Sequence, residues 1–110
     1  MTNIDAEKLA ADMLAAVKGK LSSHWNAVAP FAQSEMEKLA VTAAQIRVGQ
    51  AAGSLTKEQA EILLSMQANA SQAVLTAVET VGMIAAQDAI NAAIDVLKTA
   101  VNKAIGFAFL

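Results

Sequence analysis

The sequence predicts an all-α protein, and three observations carry that prediction. Alanine, the strongest helix former, is the most frequent residue. Glycine and proline, the residues on which tight turns depend, number only five and one. Apolar residues recur at the three- and four-residue spacing of amphipathic helices. We therefore predict an antiparallel helical hairpin with one very long C-terminal helix, forming a bundle that oligomerisation completes.

Chain length, net charge and cysteine content limit the number of domains and the kinds of partner the protein can have. A chain of 110 residues is expected to form a single domain, residues 1–110. The net charge of −2 and the lack of a basic cluster argue against nucleic acid as a partner. Without cysteine, the chain can form no disulfide and no thiolate metal site. We expect a cytoplasmic protein, because no secretory signal and no membrane-spanning run is recognisable.

A first helix is predicted over residues 4–18. Thr2 or Asn3 can cap it, because a side-chain oxygen at that position can accept from a free backbone N–H of the first turn. Gly19 is the expected end, in the left-handed conformation that glycine adopts readily. The apolar face of this helix comprises Ala6, Leu9, Ala10, Met13 and Val17.

A second helix is predicted over residues 23–52, and Pro30 allows two versions of it. The helix either starts near residue 23 and bends at Pro30, or starts at Pro30 itself. Trp25, Val28 and Phe31 keep helical spacing across the proline, which favours the earlier start. Residues 53–54 are then expected to form a turn.

The third and longest predicted helix covers residues 56–106. Thr56 and Gln59 can form a capping box at its start. Gly82 is the single breaker inside the run, and since both of its neighbours suit a helix, we predict a continuous element. A break at Gly82 that folds the chain back into a four-helix monomer is the alternative. Two apolar rows, both expected to be buried, include Ile62, Met66, Ala73 and Met83 on one side and Leu63, Ala70, Val74 and Ala77 on another.

Part of this long helix has no covering element within the chain. A turn at residues 53–54 makes the second and third helices antiparallel, so the second reaches only to the level of Ala85. About 25 residues, or roughly 35 Å of helix, would extend further. Exposed apolar surface of this size predicts self-association, first as a homodimer. The apolar ridge concerned is Ile90, Ile94, Leu97 and Val101.

A carboxylate metal site is the competing hypothesis. Ferritin-like bundles bind two metal ions with glutamates and Glu-x-x-His motifs, but the residue three before His24, the single histidine, is Leu21. Two glutamates remain in apolar surroundings, and they are the candidate ligands of a divalent metal: Glu35 and Glu79. Counted from the turn, Glu35 is level with Ala73 and about 9 Å along the axis from Glu79, so a shared site needs a second copy or a shifted register. Alternatively, each carboxylate bonds a polar neighbour.

The sequence contains no recognisable catalytic arrangement. His24 stands beside Ser22 and Ser23, whose hydroxyls suit helix caps better than a nucleophile. Trp25 and Phe31 are expected to fill a packing position rather than to line a pocket. We therefore expect a non-enzymatic, self-assembling helical protein with a structural or interaction role.

The C-terminal end is unusually apolar. Phe107, Phe109 and Leu110 follow Gly106, which is expected to end the last helix. Burying each of these side chains is worth about 1.5–3 kcal/mol, whereas ordering a residue's backbone costs about 1–2 kcal/mol. We therefore predict an ordered end that docks on another subunit. Attachment to a membrane surface through the same residues is the alternative.

Overall fold

The computed structural model describes residues 4–78 and 81–110, and within these residues it shows four packed α-helices. A short 3-10 turn, Ser22–His24, leads into the second of them. The first helix packs against the second and the fourth, and the third packs mainly against the second. The all-α prediction is confirmed. The helices are α1 (Ala6–Lys20), α2 (Trp25–Ala52), α3 (Lys57–Thr76) and α4 (Met83–Ile105).

The very long helix predicted over residues 56–106 is wrong. α3 ends at Thr76, and α4 begins after Gly82, whose backbone is extended with φ −74° and ψ 160°. The helix is therefore interrupted between Thr76 and Met83, with Gly82 as the cap of α4, and the chain folds back into four helices, as in the alternative that the sequence left open. The reason is burial, because each large side chain covered on folding is worth about 1.5–3 kcal/mol, more than the helical propensity of a few turn residues. The covered ridge includes the buried Ile90, Leu97 and Val101 and the half-buried Ile94.

This fold removes the original argument for oligomerisation. The ridge that was expected to need a second subunit lies in the core of the same chain. The core draws on all four helices, with fully buried large side chains such as Met13, Met36, Leu75 and Leu97. Among the described residues, none of the helices is both long and apolar enough to span a lipid bilayer.

Helix α1 begins two residues later than predicted, because Asp5 is its cap. The Asp5 carboxylate accepts a hydrogen bond of 3.1 Å from the backbone N–H of Lys8. An acidic cap also interacts favourably with the positive end of the helix dipole. Thr2 and Asn3, the predicted caps, lie outside the described residues.

Helix α2 runs through Pro30, as the earlier of the two predicted starts requires. Trp25, its first residue, is half-buried against the core, and the Lys18 ammonium lies 5.8 Å from its ring centroid. Phe31 does not fill a packing position, since half of its surface is exposed. The expectation for Trp25 is met in part, since Trp25 packs on the core but also lines a surface depression beside His24. The expectation for Phe31 is wrong, because Phe31 faces solvent.

The turn between α2 and α3 follows the predicted chemistry. Gly53 ends α2 with φ 72°, a left-handed conformation that favours glycine. Thr56 and Gln59 form the predicted capping box, with hydrogen bonds of 3.1 Å from Gln59 N to Thr56 Oγ1 and 2.9 Å from Thr56 N to Gln59 Oε1. This box fixes where α3 starts and hence how it lies along α2.

Two helical glycines should respond oppositely to the same substitution. α1 continues through Gly19, its predicted end, and a Cβ there would meet nothing within 4 Å. Gly19→Ala should therefore stabilise the protein by about 0.5–1 kcal/mol. A Cβ at Gly49 would lie 2.9 Å from the Cβ of Leu55, so Gly49→Ala should destabilise it by about 1–3 kcal/mol despite the same gain in propensity. Urea denaturation measures both changes, and equal shifts would contradict the close approach of Leu55.

Candidate functional site

Helix α3 buries a row of residues that neither predicted apolar row contains. Its fully buried residues are Ala60, Leu64, Ser71 and Leu75. The larger apolar residues that the sequence assigned to the core are exposed, with Ile62 60%, Met66 65% and Leu63 41% accessible. The prediction that both apolar rows of α3 are buried is therefore wrong, because the row that packs inward is a third one.

The side of α3 opposite this buried row is here called the α3 outer face. It consists of six exposed residues: Ile62, Met66, Asn69, Ala70, Ala73 and Ala77. The sequence from Ile62 to Val78 contains no charged residue. An uncharged exposed helix face is unusual, because charged residues normally cover the solvent side of an amphipathic helix.

The side chains of the α3 outer face project further from the helix in its first half than in its second. The large side chains, Ile62 and Met66, stand in the first half of the helix. The second half is low, because alanine replaces them, and it opens into a shallow depression of about 490 Å³. The exposed Met83, at the start of α4, stands at the edge of this depression. The residues that line it are Asn69, Gln72, Ala73, Thr76, Ala77 and Met83.

A buried polar network on the other side of α3 explains which row packs inward. The Ser71 hydroxyl, which is fully buried, donates a 3.0 Å hydrogen bond to Glu35 Oε1 on α2. Lys38 Nζ donates to Glu35 Oε2 at 2.9 Å, and Gln67 Nε2 donates to Ser71 Oγ at 3.2 Å. A buried carboxylate needs such partners, since leaving it unpaired would be costly. The network therefore fixes α3 with Ser71 inward and Ile62 outward.

Of the two candidate metal ligands, Glu35 lies in the described part of the chain. Both oxygens of Glu35 already accept from protein donors. Glu79, the second candidate, lies outside the described residues. Across residues 4–78 and 81–110, no three His, Cys, Asp or Glu residues are grouped closely enough to bind a metal ion. For Glu35, the observed arrangement is the alternative in which the carboxylate bonds a polar neighbour.

The C-terminal end is ordered, as predicted, but it docks on its own chain. Gly106 ends α4 with φ 98° and lets the chain turn back. Asn102 then holds the returning backbone, because its Oδ1 accepts from the N–H groups of Phe109 and Leu110 at 2.9 Å each. Its Nδ2 donates to the Leu110 carbonyl at 3.3 Å. Docking on another subunit is therefore not needed to order these residues.

The three apolar residues of the end differ in exposure. Phe109 and Leu110 are half-buried against the core, whereas 56% of Phe107 is exposed. The rings of Phe107 and Phe109 meet edge to face, with centroids 6.4 Å apart. Nothing in the local sequence pattern marks Asn102 as the residue that holds the end.

Replacing Asn102 should release the C-terminal residues. Asn102→Ala removes three hydrogen bonds, and we expect it to lower the free energy of unfolding by about 1 kcal/mol, since such partly exposed bonds are not additive. Asn102→Asp keeps the oxygen that accepts from both N–H groups, so its free energy of unfolding should fall by less than that of Asn102→Ala. Amide hydrogen exchange at Phe109 and Leu110 measures the release directly. Unchanged exchange in Asn102→Ala would contradict this role.

Comparisons with known proteins give no relative from which a function could be transferred. Family models, curated proteins and solved structures were all compared with the chain, and none of them matches it. The function is therefore inferred from the chain's own residues, and the α3 outer face is the surface that calls for an explanation.

Proposed function

We propose that this protein is a non-enzymatic helical bundle that associates with a second copy of itself through the α3 outer face. Its role is then structural or one of interaction. The observation that carries the proposal is the outward position of Ile62 and Met66, each about two-thirds exposed, on a face without charge. Contiguous apolar surface of this kind marks contact sites, and methionine is enriched in protein interfaces while charged residues are depleted.

The other exposed apolar side chains do not form a comparable face. Val41 and Val48 lie on α2, Phe31 near its start, Ile84 beside Met83 at the start of α4, and Phe107 in the C-terminal end. Isolated apolar residues on a surface are ordinary. On α3, by contrast, Ile62, Leu63 and Met66 are exposed within little more than one helical turn, and the same helix continues into the uncharged depression at Ala73 and Ala77.

The chemistry of the face favours a second copy over other partners. A charged partner would find no complementary charge between Ile62 and Val78. A lipid surface usually binds helices that carry lysine or arginine beside the apolar face, and this stretch has neither. An uncharged partner surface suits it best, and a second α3 outer face is one.

Two alternatives have less support. A divalent metal site at Glu35 and Glu79 would have to displace the Lys38 and Ser71 donors from Glu35. Attachment to a membrane surface would rely on Phe107, since Phe109 and Leu110 are held by Asn102 and half-buried. Metal-dependent shifts in melting temperature and flotation with liposomes test these two alternatives.

Light scattering over a range of concentrations tests the proposal. We expect the mass of the parent protein to rise from 11.4 kDa towards twice that value as concentration increases. Met66→Glu should stay at the monomer mass, because a carboxylate on the face would be buried without a partner. Val48→Glu, at a 64% exposed position on α2, is the matched control and should behave like the parent. A parent protein that remains at 11.4 kDa at every concentration would overturn the proposal.

A further inference from the structure

We infer that the two copies pair through antiparallel α3 helices about a two-fold axis, with Met66 of each copy seated in the depression at Ala73 of the other. This inference rests on the proposed self-association and adds its geometry. It follows from the uneven height of the α3 outer face, which is raised in the first half of the helix and low in the second.

The spacing of large and small residues fits an antiparallel arrangement. In a two-fold pair of helices, residue i of one copy faces residue j of the other, and j faces i. If the axis passes between Asn69 and Ala70, Met66 faces Ala73 and Ile62 faces Ala77. Each large side chain then meets an alanine. A parallel pair would instead set Ile62 against Ile62 and Met66 against Met66, and would leave the two low halves apart.

The depression offers the seated side chain apolar contacts from two helices. Its lining includes Ala73 and Ala77 beside the half-buried Gln72 and Thr76, and the 67% exposed Met83 of α4. A Met66 side chain entering from the second copy would contact Met83, so one contact covers two exposed methionines. Methionine suits such a contact, because its flexible side chain adapts to irregular gaps.

The absence of charge removes the usual obstacle to pairing a surface with itself. Two copies of a charged face often bring like charges together, whereas the stretch from Ile62 to Val78 has none to oppose. α3 has 20 residues and is about 30 Å long. Stable protein–protein interfaces typically bury about 800 Å² of surface on each partner. A contact made mainly by one helix from each copy is expected to be smaller than this. A reversible, concentration-dependent dimer is therefore expected.

Two complementary substitutions test the pairing. Met66→Glu and Ala73→Lys each place a charge in the contact, and each should raise the dimer dissociation constant roughly tenfold or more. Mixing the two variants should restore a heterodimer, because the new carboxylate at position 66 then faces the new ammonium at position 73. Ile62→Lys is the matched control: its new ammonium lies about 16 Å along the axis from the position that faces residue 66. A mixture of Ile62→Lys and Met66→Glu should therefore not form a heterodimer.

Disulfide formation near the axis gives an independent measurement. The chain has no cysteine, so Ala70→Cys introduces a single thiol beside the predicted axis. It should form a covalent dimer under mild oxidation, whereas Ala15→Cys, at an exposed position on α1, should not. Circular dichroism checks that each variant keeps its helices, and the cysteine result stands even where a charged variant fails to fold.

The outcomes separate this inference from the proposal on which it rests. A parent protein that never dimerises overturns both. A parent dimer that Met66→Glu abolishes, but that neither mixing restores nor Ala70→Cys crosslinks, leaves self-association standing and overturns the antiparallel pairing. Recovery in the mixture together with crosslinking at position 70 supports the geometry.

Discussion

Replacing Leu97 with alanine should lower the free energy of unfolding by about 2–5 kcal/mol. Leu97 lies on α4 and is fully buried in the core. Its truncation removes apolar contacts and leaves a cavity that the neighbouring helices can fill only in part. Because domains of this kind are stable by only about 5–15 kcal/mol, the loss is a large fraction of the total. Urea denaturation followed by circular dichroism measures it.

A second substitution on the same helix provides the control. Ile84 is 75% exposed, so Ile84→Ala should change stability by no more than about 0.5 kcal/mol. The effect of Leu97→Ala should also be independent of protein concentration, because Leu97 packs within its own chain. A loss of stability that grows on dilution would instead place Leu97 at a contact between subunits, and would contradict the four-helix fold.

Leu97 shows what the local spacing of apolar residues can and cannot predict in this protein. The spacing of Ile90, Leu97 and Val101 correctly predicted the buried side of the last helix. It could not say what covers that side, because the same ridge serves equally well within a chain or between chains. The interruption between α3 and α4 decides this, and the residues on either side of Gly82 are compatible with a helix. Burial over the whole bundle outweighed that local preference.

Predictions that rest on neighbouring residues in the sequence succeeded more often. The Thr56–Gln59 capping box and the end of α4 at Gly106 are determined by side chains a few residues apart, and both are found. Gly19 failed because a helix can continue through a glycine that has room around it. The predicted cap of α1 is wrong because Asp5, like Thr2 and Asn3, has a side-chain oxygen that can serve as a cap.

The orientation of α3 could not be predicted from its own sequence. Apolar or small residues occur on all sides of this helix, so three different rows could have packed inward. The observed choice depends on Ser71 and Glu35, which are 36 residues apart. No local spacing connects two such residues. The same contact turns Ile62 and Met66 outward, so the candidate site is a consequence of a buried polar pair on the opposite side of the helix.

Ser71→Ala should therefore destabilise the protein by about 1–3 kcal/mol, although it removes a single oxygen atom. The substitution leaves Glu35 Oε1 without its donor in a site where only 3% of the residue is accessible. Ser65→Ala, at an exposed position on the same helix, is the matched control and should be nearly neutral or slightly stabilising. Equal effects of Ser71→Ala and Ser65→Ala in urea denaturation would show that the buried bond contributes nothing.

Replacing both Glu35 and Ser71 should lower the free energy of unfolding less than replacing Ser71 alone. In the double variant Glu35→Met with Ser71→Ala, neither substituted position carries a polar side-chain group that needs a partner, and an apolar side chain of similar length fills the space. Lys38, whose side chain is 57% exposed, can return to water, and the half-buried Gln67 loses only one acceptor. Replacing a buried polar pair with apolar residues is often neutral or stabilising. We expect the double variant to lie within about 1 kcal/mol of the parent. The single variants Ser71→Ala and Glu35→Met should together lose more stability than the double variant, with a coupling energy of roughly 0.5–3 kcal/mol. Purely additive losses would mean that Glu35 and Ser71 act independently, and that their hydrogen bond does not set the orientation of α3.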